Sequence, residues 1–334
     1  MPDEANPTAE GLARWLGELW AEPVTVDALR ESSAGARRRN VLFDAHAGGR
    51  TVPLAATIIP TAEIQLLDPV SEGAVRTVAE EGGVPAPHVH GSTLDVGYVG
   101  GPFFVSDRVE GETIPRRVLR QAAALGHGDQ VVGEIGAALA KLHAIDPALA
   151  PAALAWPPNA APVAMAMENL EIAIDGLLKP EPAFAYGQRW LRDHQPTEPA
   201  RCTMVHTDVR NGNIIVGPDG LRAILDWEGS RIGDPMEDVA WPQTRMWRFG
   251  EDANTIGGLA SVAPYRAGYE AAGGTWDDDR IRWWRVLTNL RWGTGLAGQS
   301  AAHLDGRFRS IVMAGSGRRV SELAWDTLML VRPD

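Results

Sequence analysis

Lysine is almost missing from this chain. The 334 residues carry 31 basic side chains, and only Lys141 and Lys179 among them are lysines. No lysine stands before position 141. Cysteine is scarcer still: Cys202 is alone, which excludes an intrachain disulfide and a cysteine-cluster metal site and fits a reducing cytoplasm. Positive charge is in deficit, with 43 acidic residues against 31 basic ones and a net charge of −12. No basic run stands out that could track a phosphate backbone, so nucleic acid is not an expected partner. No stretch of about 20 apolar residues exists to span a bilayer, so no membrane association is expected. The start, Met1-Pro2-Asp3-Glu4-Ala5-Asn6-Pro7, is acidic and polar, the opposite of a signal peptide. A cytoplasmic protein is expected. Two catalytic signatures are absent as well: there is no G-x-S-x-G nucleophile elbow and no G-x-x-x-x-G-K-[ST] phosphate loop.

Hydrophobic residues make up 45% of the chain and charged residues 22%, an ordinary globular balance. The length suits one large domain or a two-lobed enzyme. Residues 8–22 have helical apolar spacing through Leu12, Trp15, Leu16 and Leu19. Strand-like segments follow, split at His46-Ala47-Gly48-Gly49, a hairpin loop. A helix is expected from about Ser71 to Glu81, stopped by Gly82-Gly83, with further strands near His88–His90 and Phe103–Val105. Beyond Arg108 the pattern turns helical: 131–145, 164–178, 183–194, 283–292 and 320–331, the last with Val320, Leu323, Ala324, Leu328 and Val331 on one side. The expectation is a β-rich N-terminal lobe over 1–107 and a larger helical lobe over 108–334.

The informative segment is Val205-His206-Thr207-Asp208-Val209-Arg210-Asn211-Gly212-Asn213-Ile214-Ile215-Val216, followed by Ala223-Ile224-Leu225-Asp226-Trp227-Glu228. Gly217-Pro218-Asp219-Gly220 reads as the turn of a hairpin, which would return Asp226 toward Asn213. An amide oxygen beside a carboxylate makes a hard donor pair suited to Mg²⁺, a cation that keeps several waters and takes few protein ligands. Asp208, one loop away, could accept a proton from a hydroxyl. A base, an amide and a metal-binding acid in that order describe phosphoryl transfer from a nucleotide.

His206-x-Asp208-x-x-x-x-Asn213 with Asp226-Trp227-Glu228 resembles the aminoglycoside phosphotransferase and choline-kinase branch of the protein-kinase-like fold. Leu142-His143-Ala144-Ile145-Asp146 and Gly233-Asp234-Pro235-x-x-Asp238 resemble the same family. The tail, with Trp283-Trp284-Arg285 and Glu322-Leu323-Ala324-Trp325, looks closest to bacterial relatives of the kinase domains fused to acyl-CoA dehydrogenases. The resemblance implies an α+β two-lobed fold, a small antiparallel sheet with one helix followed by a helical lobe. It implies ATP or GTP as co-substrate, Mg²⁺ as cofactor and a small-molecule hydroxyl as acceptor. Asp208 would be the base and Asn213 and Asp226 the metal ligands. His206 and Asp238 would brace the loop, and Glu228 would stand beside the metal. The nucleotide base would lie against the hinge from Phe104 through Ser106 to Arg108. Where Thr207 stands, the family usually has glycine.

One departure matters. Kinases of this shape carry a cation on the third strand that holds the nucleotide phosphates and pairs with an acid on the inserted helix. The helix offers Glu72, but Thr51-Val52-Pro53-Leu54-Ala55-Ala56-Thr57-Ile58-Ile59 offers no cation. Arg37, Arg38 or Arg39 from the preceding strand could supply it. The alternative is a nucleotide- or ligand-binding protein with little transfer activity. The run Asp277-Asp278-Asp279 reads better as a helix start than as a site for a cationic substrate.

Overall fold

The computed structural model describes residues 7–32, 38–59, 66–154, 161–307 and 309–332. Helix α1 (Pro7–Trp20) leads into strands β1 (Thr25–Ser32), β2 (Arg39–Ala47) and β3 (Arg50–Ile58), helix α2 (Pro69–Glu81), and strands β4 (Val89–Thr93) and β5 (Phe103–Asp107). Helices α3 (Pro115–Leu125), α4 (Gly128–Ala144), α5 (Pro162–Asp175) and α6 (Pro182–Asp193) follow. Then come β6 (Thr203–Val205), β7 (Ile214–Gly217), β8 (Gly220–Ile224) and β9 (Arg231–Gly233). Helices α7 (Pro235–Ala240), α8 (Val262–Ala271), α9 (Asp278–Leu304), α10 (Ile311–Ser316) and α11 (Val320–Val331) complete the described elements. The order is the α+β arrangement expected from the sequence. Two compact units result, one of residues up to 112 with 148–155 and 214–230, the other of 113–147, 156–213 and 231 onward.

In the first unit the sheet order is β1-β2-β3-β5-β4 and every neighbouring pair is antiparallel. The β2–β3 hairpin closes at Gly48 and Gly49, at φ 55° and 77°, backbone that glycine adopts without strain. Alternate residues Phe43, Leu54, Phe103 and Val105 pack with Leu12, Trp15 and Leu16 of α1, so a period of two meets a period of 3.6 in one core. Each such large side chain stabilises the fold by about 2 kcal/mol. Leu19, expected on that face, is exposed. Helix α2 starts where the Asp68 carboxylate accepts from the backbone N–H of Val70 and Ser71, and it ends at Gly82. The β7–β8 hairpin belongs to this unit, which makes the division discontinuous instead of a single break near 107. The hairpin is held there by paired backbone bonds between Glu112 and Val216 and by Ile224 N–H donating to the Pro85 carbonyl.

In the second unit α4 buries Val131, Ile135, Ala138, Leu139 and Leu142 as its periodicity predicts. Helices α4 and α8 cross at glycine: a Cβ on Gly268 would stand 2.0 Å from the Gly133 carbonyl oxygen. Helix α9 runs 27 residues, well past the expected 283–292, because Gly293 lets its second half close on Phe184, 2.3 Å from where a Cβ would sit. Helices α3 and α8 were not marked in the sequence. In α11 the buried face is rotated from expectation: Leu328 is exposed while Asp326 and Thr327 are buried, Thr327 accepting from Asn289 Nδ2 at 2.9 Å. Asp277 caps α9 by accepting from Arg280 N–H at 3.0 Å, so the acidic run does start a helix. No described helix is long and apolar enough to cross a membrane.

Candidate active site

The His206–Asn213 loop leaves β6, which pairs with β9 from Thr203↔Gly233 to Val205↔Arg231. Past β9, Asp234 caps the short helix α7 and brings Asp238 under the loop. Asp238 is fully buried. Its two oxygens accept from His206 N–H at 2.7 Å and Thr207 N–H at 2.6 Å, and His143 Nε2 stands 3.2 Å from Oδ2. Burial alone would raise the Asp238 carboxyl, but the bond and charge of His143, with His206, outweigh it and hold the group below its usual range. Tyr269 OH lies 2.9 Å from His143 Nδ1 and closes the chain of bonds. Burial is the main reason the Tyr269 phenol stands well above its ordinary value, with Asp238 and Asp234 adding to it.

Two N–H donors aimed at one carboxylate turn the loop sharply, and Thr207 takes φ 73° in consequence. A β-branched residue in the left-handed region is strained, whereas glycine adopts it freely. The turn carries Asp208 to the loop crest. Asp208 Oδ1 accepts from Arg210 Nε at 2.9 Å and Trp241 Nε1 at 2.7 Å, and Oδ2 accepts from Asn213 Nδ2 at 2.6 Å. Three donors from three side chains fix this carboxylate in one orientation. Asn213 spends its amide nitrogen on Asp208, leaving its oxygen as the atom suited to a cation. Arg210 lies over the Trp247 ring at 4.5 Å, and Trp247 packs edge to face with Trp292 at 5.1 Å and tilted against Trp241 at 5.3 Å.

A second cluster lies within the first unit. Arg38, just before β2, reaches Glu72 on the first turn of α2 at 2.7 Å and Glu228 at 2.6 Å, with Asp226 at 3.9 Å. Glu72 is only 1% exposed and is paired there with this guanidinium. Burial would lower Arg38, but Glu72, Glu228 and Asp226 together raise it above its ordinary value. Glu228 is pushed up by burial, against the pull of Arg38. Asp226 sits at φ 66°, ahead of the buried Trp227, whose indole N–H donates to the Ile224 carbonyl at 2.9 Å. One turn after Glu72, Arg76 is buried with its guanidinium 4.8 Å from the Phe104 ring centre, and desolvation lowers it.

The structure therefore places Arg38 on Glu72, with Asp226 and Glu228 alongside. Arg39 is directed elsewhere, to Glu31 and Thr8. Arg37 lies outside the described residues. Phe104 and Ser106 are buried on β5. His206 is buried beneath the loop and offers Nδ1 to Asp208 N–H at 3.2 Å. Three contributors escaped the sequence reading: Arg210, Trp241 and Arg76. Arg210 stands two residues from Asp208, a spacing that could have drawn attention. Trp241 and Arg76 gave no local signal.

The family model of the phosphotransferase enzyme family matches residues 28–284. Curated relatives include acyl-CoA dehydrogenase family member 10 of Mus musculus, 31% identical over a 161-residue alignment that covers 43% of this chain and 15% of that protein. Human acyl-CoA dehydrogenase family member 11 is 36% identical over 72 residues, 19% of this chain and 9% of that one. The chain thus spans a small part of the relatives it matches. Among solved structures, a Ralstonia eutropha protein named as a proposed aminoglycoside phosphotransferase superposes with TM-score 0.70 at 21% identity, covering 97% of this chain and 99% of its own. A thermostable variant of aminoglycoside phosphotransferase APH(4)-Ia, in ternary complex with AMP-PNP and hygromycin B, gives 0.64 at 16%, covering 97% and 100%. A choline/ethanolamine kinase family protein from Mesorhizobium loti gives 0.58 at 17%, covering 92% of each chain. These likenesses establish a kinase-like fold.

Proposed function

The chain belongs to the phosphotransferase enzyme family, and from that premise we propose that it moves the γ-phosphoryl group of ATP or GTP to a hydroxyl of a small molecule. The observation that carries this reading is the Asp208 carboxylate held by Arg210, Trp241 and Asn213. A carboxylate fixed by three donors is pre-set to accept the acceptor's hydroxyl proton as the new O–P bond forms and the bond to the nucleotide diphosphate breaks. His206 and Asp238 hold the loop that presents it.

The residues fit Mg²⁺ by the chemistry of their donors. The Asn213 amide oxygen remains after its nitrogen is spent, and Asp226 stands 3.9 Å from its nearest cation, so both keep oxygen lone pairs to offer. When bound, the ion supplies charge neutralisation at the phosphates. Glu228 adds negative charge beside Asp226. Arg38, oriented by Glu72, takes the phosphate-holding role that residues 51–59 leave empty, and the base rests against the hinge from Phe104 through Ser106 to Arg108.

The other reading, a ligand-binding relative with little transfer, rests on the absence of a cation from residues 51–59. Arg38, just ahead of β2 and bonded to Glu72, supports the first reading by offering a cation from a neighbouring position. The test is calorimetric titration of ATP and then GTP, with and without Mg²⁺, into the protein and Asp226→Ala. Binding that requires Mg²⁺ and disappears in the variant is expected. Asp208→Asn should retain that binding and lose turnover, read first as nucleotide hydrolysis. No binding of either nucleotide at millimolar concentration would overturn the proposal.

A further inference from the structure

A cavity of about 310 Å³ lies in the second unit where residues 243–248 meet α9 and α11. Its polar wall holds Thr244, Arg245, Arg248 and Arg285, and its apolar wall holds Trp325 and Met329. The arginines are unequally matched. Arg245 is neutralised by Asp252 at 3.0 Å and Asp326 at 3.4 Å. Arg248 donates only to backbone carbonyls, of Asp252 at 2.9 Å and Gln243 at 3.0 Å, and its Nε is buried without a partner. The Arg285 guanidinium has no ion-pair or hydrogen-bond partner among the described residues, and burial with Arg248 and Arg282 nearby pulls it down to about 10. Thr244 is buried with its hydroxyl unmatched. Next to it, the indole nitrogens of Trp247 and Trp292 are buried and unmatched too. Those three nitrogens are donors only, and a hydroxyl can donate. Asp326 also lines the cavity, paired with Arg245, so three guanidinium groups face a single lining carboxylate, and the buried unmatched nitrogens beside it are all donors.

We propose that this cavity binds an oxyanion with an apolar body, the carboxylate or phosphate seated on Arg248, Arg285 and Thr244 and the body against Trp325 and Met329. A planar guanidinium pairs such an oxyanion with two parallel bonds, which an ammonium cannot do. Although the chain is acidic overall, the cavity selects anions and rejects polycations of the aminoglycoside kind. Testing it needs no transfer reaction, since binding alone reads it out.

The test uses the full chain without nucleotide or Mg²⁺ and three probes at constant ionic strength: hexanoate, inorganic phosphate and hexylamine. Calorimetry and thermal melting are followed in the wild type, Arg285→Met and Arg248→Gln. One or both anions are expected to bind and raise the melting temperature beyond an equal-strength chloride control, and hexylamine to have no effect. Binding of hexanoate alone assigns a carboxylate ligand with an aliphatic body; binding of phosphate alone assigns a phosphate-bearing one. Each arginine substitution is expected to weaken the bound anion at least tenfold. Arg285→Met, which removes a half-buried cation with no ion-pair partner among the described residues, should also melt no lower than the wild type without ligand. Anion affinity within twofold of wild type in both variants overturns the proposal, and so does a response no larger than that to chloride.

Discussion

Substituting Asp238 by asparagine isolates what one buried carboxylate does for the catalytic loop. In the native fold its two oxygens take the N–H groups of His206 and Thr207 at 2.7 Å and 2.6 Å. An amide has one accepting oxygen, so its NH₂ must face one of those donors. The buried N–H so orphaned costs about 1–3 kcal/mol, and the surviving bond loses its charge assistance, worth about 1 kcal/mol more. A total near 3 kcal/mol follows, measured as a fall in the urea midpoint with the slope unchanged. The pH dependence follows from the direction of the shift. Asp238 lies below its ordinary value of 3.8 in the folded state, so its contribution is fully present above that value and is lost as pH falls through the folded pKa. The difference between wild type and Asp238→Asn should be wide at neutral pH and close below about pH 4. A cost under about 1 kcal/mol at neutral pH, or a cost independent of pH, would refute the reasoning.

Three further substitutions probe other parts of the fold. Arg38→Met removes the ion pair of the buried Glu72, with Arg76 the one cation left acting on it, and should cost about 3 kcal/mol in chemical denaturation. Adding Glu72→Gln should recover most of that loss, which a double-mutant cycle measures. Gly268→Ala drives a methyl to 2.0 Å from the Gly133 oxygen and should lower stability by about 2–4 kcal/mol, seen as a drop in melting temperature. Gly295→Ala, on the exposed side of α9 with nothing within 4 Å of the new methyl, should raise stability by about 0.5–1 kcal/mol in the same assay.

Local rules made much of this molecule legible. Two glycines in sequence placed the β2–β3 turn, and the spacing of Val131, Ile135 and Leu142 placed the buried face of α4. The order of Asp208, Asn213 and Asp226 marked the loop and hairpin before any geometry was known. What escaped depends on neighbours distant in the chain. Asp326 and Thr327 read as the polar side of α11, yet Asn289 bonds Thr327 and Arg245 pairs with Asp326. The second half of α9, rich in glycine and alanine, has too little periodicity to announce a helix, and only the fit of Gly293 to Phe184 explains it. Arg76 reads as a solvated helix residue, whereas the Phe104 ring covers it. The Asp208–Trp241 bond spans 33 residues, and no spacing rule predicts such a pair.

The cation beside Glu72 is an arginine, Arg38, and that has a practical result. A guanidinium keeps its charge at any pH a protein survives, whereas an ε-amine can lose its proton and act as a nucleophile. Reagents that acylate amines beside bound phosphates would find nothing to modify in the Arg38–Glu72 cluster. The two amines they could reach, on Lys141 and Lys179, are both exposed in the helical unit. Peptide maps of this sequence after such labelling would show lysine adducts at those two positions. The Arg38–Glu72 cluster is silent to lysine chemistry, and arginine-selective dicarbonyls are the reagents that would report on it.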